Sequence, residues 1–478
     1  MLISFSTLLS KIHHLAILSI GMVAPLPLQA ATLNGSELSL WWGLPFAFIL
    51  LSIALCPLLM SSIWHHHFGK ITAGWTLLFL LPFSIHYGWS ASIHTVVHAL
   101  LAEYVPFILL LLALYTISGG IDIQGHFKGT PATNTAIIAM GTLLASLMGT
   151  TGAAMLLIRP LLKANQHRQH RVHVVVFFIF LVANIGGGLT PLGDPPLFLG
   201  FLKGVSFLWT VEHMLLPVLI SSTFLLVLFY GIDRYFAAQE QPRSAAPDPT
   251  KLNICIKGKR NILLLLGAVG AVLLSGLWQS TVQFHILDNH IGLPALTRDV
   301  LLLAFTLLSL WITPSAIRQS NAFNWAPIQE VGKLFLGIFI TISPVIAMLQ
   351  AGENGHFHAL IESVHNPDGS PINALYFWMS GLLSAFLDNA PTYLVFFNLA
   401  GGDANILMEE IPQTLLAISM GSVFMGALSY IGNAPNFMVK SIAEQQDVAM
   451  PSFFAYMLWS FGLLAPLFLV HTLIFFIW

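Results

Sequence analysis

The sequence predicts an all-α polytopic membrane protein with inverted repeats of five transmembrane helices plus one re-entrant hairpin each, and with two broken helices. Three observations predict this fold class. Of 478 residues, 56% are apolar and only 8% are charged, which excludes a soluble globule with a solvated surface. Most of the chain divides into apolar spans of about 20 residues, the length that crosses a hydrocarbon core. Two similar pairs of polar, glycine- and proline-bearing breaks interrupt these spans.

The first segment, residues 1–30, is either a signal peptide or an extra N-terminal helix. Lys11, His13 and His14 precede an apolar run that ends near Gln29-Ala30-Ala31, which is typical of a secretory signal. The run is short and contains Pro25 and Pro27, and an uncleaved first helix is the alternative. Both interpretations leave residues 31–40 outside.

The remaining chain divides into two repeats joined by a linker. The predicted first repeat covers residues 41–236, with an inward hairpin at 133–162 and a broken helix at 172–206. A cytoplasmic linker at 237–260 follows, and we expect it to be flexible. The second repeat covers 261–478, with an outward hairpin at 372–399 and a broken helix at 414–442. The predicted spans are 41–63, 71–87, 98–118, 172–206, 214–236, 261–279, 300–313, 331–349, 414–442 and 453–477.

Each hairpin stretch is apolar but is split at its middle by a polar tip. Each half is predicted to hold about 14 residues, which is too short to span alone, so the chain should turn back. The orientation follows from basic residues. Lys163, Arg168 and Arg171 follow the first hairpin and more basic residues fill the linker, whereas 351–371 and 401–412 contain no Lys or Arg. Cytoplasmic loops carry the excess of basic residues, so the two repeats are predicted to be inverted.

The polar breaks are the candidate binding site. The first pair is Thr150-Thr151-Gly152 with Leu192-Gly193-Asp194-Pro195-Pro196, and the second is Asp388-Asn389-Ala390-Pro391-Thr392 with Ile431-Gly432-Asn433-Ala434-Pro435. Thr151 precedes Gly193 by 42 positions and Asn389 precedes Gly432 by 43. Paired, interrupted apolar segments in matching places indicate the binding site of a secondary transporter.

These motifs resemble those of the ion transporter superfamily, in its branch of arsenite permeases, sodium/proton antiporters and citrate transporters. The residues that carry the resemblance are 384–392 for a hairpin, with 190–196 and 430–436 for the two broken helices. The resemblance covers residues 100 to 478 and implies a dimer that works by elevator-like movement. The chain departs from the pattern at Thr150-Thr151-Gly152, where many relatives carry Asn with Asp or Ser.

The residue types at the breaks suit a small cation. Freed carbonyls at half-helix C-termini favour cations, and an oxygen cage suits Na⁺. We therefore expect Asp194, Asp388, Asn389 and Asn433 to bind Na⁺, because a charged Asp at mid-membrane costs ~3 kcal/mol and is retained for function. The alternative for both aspartates is that each caps a half-helix N-terminus. The full predicted ion-binding set is Thr150, Thr151, Gly152, Thr190, Gly193, Asp194, Asp388, Asn389, Thr392, Gly432 and Asn433.

Several other polar residues have two interpretations. Arg159, near the end of the first hairpin, either reaches toward the cytoplasmic interface or binds an anion. Asn184, like Thr190, could supply a ligand or a packing hydrogen bond. The histidine clusters at 65–67 and 167–173 are more typical of solvated interface than of a metal site.

The sequence thus predicts a secondary active transporter of a bacterial inner (plasma) membrane, exchanging Na⁺ for H⁺ at one site. The main alternative is a sodium- or proton-coupled carboxylate or metalloid-oxyanion transporter, in which Thr150 and Thr151 hold the anion; an ion channel is the alternative from another class. The chain lacks a phosphate-binding loop, nucleophile elbow or dinucleotide fingerprint, so neither an enzyme nor a cofactor is expected. A net charge of −2 gives no reason to expect a nucleic-acid partner; the expected partners are a small ion or anion, membrane lipid and a second copy of the chain.

Overall fold

The protein is an all-α, multi-pass membrane protein. The computed structural model describes residues 34–125, 127–240, 255–287 and 289–477. Within these residues, nine helices are long and apolar enough to cross a membrane. The predicted segment 1–30 and most of the predicted linker lie outside the described residues.

The N-terminal helices differ from the predicted spans. A 3₁₀ turn, Leu40–Gly43, leads into the helix Leu44–Leu59, which is followed at once by a long helix, Ser61–His98. A π-helical stretch, Ala99–Tyr104, continues into Val105–Ser118. Gly88 (φ 86°, ψ 159°) is non-helical and kinks the long helix one residue after the predicted end of the span 71–87. The helix resumes directly after the kink, so the gap predicted between 87 and 98 is absent. Gly tolerates this positive φ at no steric cost.

The first hairpin consists of two helices that fold back on each other. Its arms are Pro131–Met148 and Thr150–Ala164, separated by the single residue Gly149. Asn134 and Asn165, at the open ends of the two arms, exchange amide hydrogen bonds of 2.9 and 2.7 Å. The turn lies one residue before the predicted tip, and the first arm has 18 residues rather than about 14. Gly149 has φ 78°, which explains why the turn occurs there.

The first broken helix follows. Its halves are Val172–Leu181 and Pro195–Leu202, with a 3₁₀ turn, Ile185–Leu189, between them. The helix Phe207–Gln239 then crosses the membrane by length and composition. The two proline residues at 195 and 196 start the second half, since proline is tolerated in the first turn of a helix but not in its interior.

The second part of the chain has a similar order of elements. The helices Arg260–Leu277, Leu293–Ile312 and Ala326–Gln350 precede a second hairpin with arms Asn373–Phe386 and Asn389–Leu399. The second broken helix has halves Pro412–Phe424 and Ala434–Glu444 around the 3₁₀ turn Met425–Leu428, and Phe453–Phe475 ends the fold. Short helices lie at Ser315–Ser320, His358–Ser363 and Ala404–Glu409, and a 3₁₀ turn at Gly352–Asn354.

In the described part of the chain, two short antiparallel β-ribbons, which the sequence did not predict, connect loops outside the helices. Strands β1 (Asp122–Gln124) and β2 (Cys255–Lys257) join the loop before the first hairpin to the end of the linker region. Strands β3 (Gln283–Ile286) and β4 (Asn289–Gly292) form a ribbon between two spans. Strands of three or four residues carry too little periodicity to be recognised among apolar helices.

The broken helices lie at the centre of the molecule. The apolar window within residues 172–189 is 89% buried by protein, against 28% for that of Phe207–Gln239. An apolar helix whose surface is not covered by other parts of the protein faces lipid. An apolar helix that is 89% buried is instead packed against protein on all sides. The two hairpins pack around the breaks: Gly141 of the first lies against Val182, and Gly381 of the second against Met425.

A buried polar cluster joins the base of the first hairpin to its neighbours. Asp233 is fully buried and accepts hydrogen bonds from Asn134 (2.8 Å) and from Arg168, which forms an ion pair of 2.6 Å. His173 Nε2 lies 2.7 Å from the same carboxylate. Because a buried charge is stable only when it is paired, this cluster fixes the hairpin base against Phe207–Gln239 and the first broken helix.

Candidate functional site

Both hairpin tips and both helix breaks meet at the carboxylate of Asp194. Asp194 is 1% exposed and accepts three hydrogen bonds. Thr150 Oγ1, at the first tip, lies 3.1 Å from Oδ1, and Asn433 Nδ2, at the second break, lies 3.0 Å from the same oxygen. Asn389 Nδ2, at the second tip, lies 2.5 Å from Oδ2. One residue from each of the four polar motifs thus contributes to a single cluster, the Asp194 cluster.

Close backbone contacts position the first break. Gly193 accepts a hydrogen bond of 2.9 Å from Thr150 N, which ties the break to the hairpin tip. A Cβ on Gly193 would collide with the carbonyl oxygen of Gly187. Thr190 supports the turn: its hydroxyl donates to Ser146 O and accepts from Leu192 N. Gly193 therefore shapes the site through its backbone. Thr190 shapes it through hydrogen bonds to the backbone of neighbouring residues.

The second break repeats these contacts. Ser429 Oγ donates to Ala385 O and accepts from the amides of Ile431 and Gly432, each at 3.1 Å. A Cβ on Gly432 would meet the carbonyl oxygen of Gly426. Asn433 follows Asp194 by 239 positions, and the same offset relates the other members of the two sets. The related pairs are Thr150 and Asn389, Gly187 and Gly426, Thr190 and Ser429, and Gly193 and Gly432.

This offset corrects the pairing read from the sequence, in which Thr151 was matched with Asn389. Thr150, one residue before Thr151, is the residue that corresponds to Asn389. The two tips differ at that point: the first offers a hydroxyl and a methyl group, and the second an amide. The internal correspondence is thus one of backbone geometry, with different side chains at equivalent positions.

The other predicted site residues have different surroundings. Asp388 accepts a hydrogen bond of 3.0 Å from Ala390 N and caps the helix Asn389–Leu399, which is the alternative weighed from the sequence. Thr392 Oγ1 donates to Asp388 O within that helix. Thr151 and Gly152 line a cavity beside the cluster. Hydrogen bonds therefore unite Thr150, Asp194, Asn389 and Asn433, but not Asp388 or Thr392.

Asn436 is a residue of the site that the sequence argument did not single out. Its Oδ1 accepts a hydrogen bond of 2.7 Å from Asn184, and its amide donates to the carbonyls of Gly426 and Ser429, so it links the two breaks directly. It lies only three residues after Asn433, inside the motif that was recognised. The signal that could have identified it is a polar side chain within an apolar segment.

Several oxygens at the second break face one small space. A point at the Cβ position of Gly426 lies 3.1 Å from Asn184 Oδ1, 3.2 Å from Gly432 O and 3.6 Å from Ser384 Oγ. Asn184 Oδ1 and Asn389 Oδ1 are both buried, and neither has a hydrogen-bond partner. At the equivalent point of the first break, beside Gly187, the methyl group of Thr150 lies within 2.5 Å. The space beside Gly426 is thus bordered by oxygens, the ligand type that hard cations prefer, whereas the equivalent space beside Gly187 contains a methyl group.

A cavity of about 450 Å³ reaches the Asp194 cluster. Asp194, Asn433 and the tip of the first hairpin line the cavity, as do Asn324 and Gln445, which lie near helix ends. Most of its wall is apolar. Arg159, whose side chain is partly buried, also lines it, and its Nη1 is buried without a hydrogen-bond partner. Its apolar wall includes Leu114, Met155, Leu192, Phe198, Val331 and Phe437.

Comparison with known proteins agrees with a transport function. The model of a family described as "Putative citrate transport" matches residues 35–476, which is nearly the whole chain. No curated protein matches the chain. Because the match extends over both hairpins and both breaks, the chain belongs to this family of transporters.

Proposed function

We propose that this protein is a cation-coupled transporter of a small carboxylate anion of the citrate kind. The observation that carries the proposal is the cavity of about 450 Å³ beside the Asp194 cluster. Pockets for small organic molecules occupy roughly 300–1,000 Å³ and combine apolar walls with a few polar groups. A site that served only Na⁺ and H⁺ would need a few oxygens and no such space. The family description supports the same substrate class.

The Asp194 cluster supports the coupling role of a cation. Asp194 is the one charged side chain in the cluster, and its three partners, Thr150, Asn389 and Asn433, are neutral donors. A proton on Asp194, or Na⁺ among the oxygens near Gly426, would neutralise that charge. Neutralising a buried charge beside an incoming anion favours anion binding, because like charges in a low dielectric repel strongly.

A sodium/proton antiporter is the second candidate, and the single buried carboxylate at the helix breaks favours it. Competition between a proton and Na⁺ at Asp194 would suffice for exchange. In that case the cavity would serve only as a water-filled access path.

Uptake by reconstituted protein separates the two functions. Proteoliposomes would receive labelled citrate under an inward Na⁺ gradient, an inward proton gradient or neither. We expect citrate to accumulate under the Na⁺ gradient or under the proton gradient, and not in the absence of both. A second set of vesicles, without citrate and with an internal pH dye, would report whether the Na⁺ gradient drives proton movement. Sodium-driven proton movement with no citrate uptake under either gradient would overturn the carboxylate assignment in favour of antiport.

A further inference from the structure

The partly buried guanidinium of Arg159 lies in an unusual setting. It belongs to the second arm of the first hairpin and lines the cavity together with Thr151 and Met155. These residues are four apart, so they share one face of the helix. Its Nη1 is buried and makes no hydrogen bond. A buried donor without a partner is costly, and its persistence points to a partner that arrives from outside the chain.

No acidic side chain neutralises Arg159 within the described part of the chain. It takes part in none of the ion pairs found there. The titratable group that acts on it is the phenol of Tyr115, whose hydroxyl donates to Asn324 O at 2.8 Å. Arg159 is also the one Lys or Arg among the described residues that line the cavity.

The position of Arg159 relative to the hairpin tip suits a ligand with a short carbon body. Thr151 and Arg159 are eight residues apart, which is ~12 Å along a helix. Helical side chains lean toward the N-terminus, so the guanidinium is closer to the tip than its backbone. Met155 lies between them on the helix, and Leu114 and Phe198 contribute to the same apolar cavity wall. A carboxylate held by Arg159 would leave the rest of the molecule against this wall, directed toward the Asp194 cluster.

We propose that Arg159 binds one carboxylate of the transported anion and is the residue by which the protein recognises substrate charge. This proposal rests on the proposed carboxylate transport and assigns its anion subsite. Guanidinium and carboxylate are matched in geometry, since two parallel N–H groups can donate to the two oxygens. Arg159 is the one Lys or Arg among the described residues of the cavity wall, which also include the acidic residues Asp194 and Glu330. One substrate carboxylate is therefore neutralised there, and any further carboxylates must find neutral donors or the coupling cation.

Equilibrium binding to purified protein tests the assignment. The probes are citrate, glutarate and butyrate, which carry three, two and one carboxylates. We expect Arg159→Gln to weaken citrate and glutarate binding at least about tenfold, the loss of a charge-assisted hydrogen bond. Arg159→Lys should lie between this variant and wild type, because Lys keeps the charge but not the paired donors. Na⁺ binding should be unchanged in both.

Arg234→Gln is the matched control. Arg234 is exposed on Phe207–Gln239, away from the cavity, and its removal changes the net charge equally. If wild type binds citrate and Arg159→Gln binds it equally well, Arg159 is not the anion subsite, although carboxylate transport stands. If wild type binds none of the three probes, both proposals fail. Should Arg159→Gln not fold, Arg159→Lys decides the question through its citrate affinity, and an affinity equal to wild type would overturn the assignment.

Discussion

At the scale of the residue, Asp194 and Asp388 differ although the sequence presents them alike. Each follows an apolar helix and precedes a proline by one to three positions. Asp194 accepts bonds from three other elements and no cap bond from its own helix, whereas Asp388 caps its own helix. The sequence pattern cannot separate these roles, since a helix N-terminus stabilises an aspartate whether or not that residue also binds a ligand.

Exchanging each aspartate for asparagine should separate the roles. We expect Asp194→Asn to abolish the dependence of citrate uptake on a Na⁺ or proton gradient, because the one buried charge of the cluster is gone. Asp388→Asn should retain coupled uptake, since Asn caps a helix about as well as Asp. Gradient-driven uptake in proteoliposomes measures both. Coupling that survives in Asp194→Asn but disappears in Asp388→Asn would reverse this assignment.

Residue types also explain which part of the site was predictable. Asp194, Asn389 and Asn433 could be predicted because polar residues next to Gly and Pro within apolar spans have few structural uses. Arg159 had two interpretations, because its place near a helix end suits an interfacial side chain as well as a ligand. Only the tertiary structure, which places it on a cavity wall with an unpartnered Nη1, favours the second.

At the scale of the element, the sequence predicted the breaks better than the bends. Gly with Pro forbids a continuous helix, so breaks appeared near 193 and 432 as expected. At Gly88 the backbone leaves the helical conformation for one residue, and hydropathy does not distinguish such a kink from the longer gap that was predicted between 87 and 98. The 3₁₀ turns before each break also carry no distinct pattern, since they differ from α-helix only in hydrogen-bond register.

The buried cluster at the base of the first hairpin should be essential for stability. Asp233→Ala leaves Arg168, His173 and Asn134 without their shared acceptor, and breaking a buried ion pair costs about 3–5 kcal/mol. We expect a clear fall in melting temperature of the detergent-solubilised protein.

Glu240→Ala, beside this cluster, is the control. Glu240 contacts Arg168 at 3.4 Å from a partly exposed position, so its loss should cost about 1 kcal/mol or less. Equal melting temperatures for the Asp233 and Glu240 variants would show that the cluster does not hold the hairpin base.

At the scale of the whole molecule, the two halves place equivalent contacts around one central cluster. The offset of 239 positions relates the breaks and tips of both halves. Inversion of the halves across the membrane remains a prediction from the distribution of basic residues. On that orientation, Asn324 and Gln445, which line the cavity, are predicted to lie on its cytoplasmic side. Dimer formation also remains a prediction from the superfamily resemblance.

The fold class was predictable at this scale because composition and span length determine it. The substrate was not. The motifs at the tips and breaks are typical of a cation site, and on the sequence alone they favour antiport. The cavity wall comes from residues far apart in the chain, such as Leu114, Phe198 and Val331, and no local pattern joins them.

The most direct test of the account is the linkage between cation and citrate binding. Isothermal titration calorimetry of the purified protein would measure the citrate dissociation constant with and without Na⁺, and at two pH values. If a cation at the Asp194 cluster favours an anion in the adjoining cavity, citrate should bind at least about fivefold tighter with Na⁺ or at the lower pH. A citrate affinity that is the same under all these conditions, or no citrate binding at all, would contradict the account.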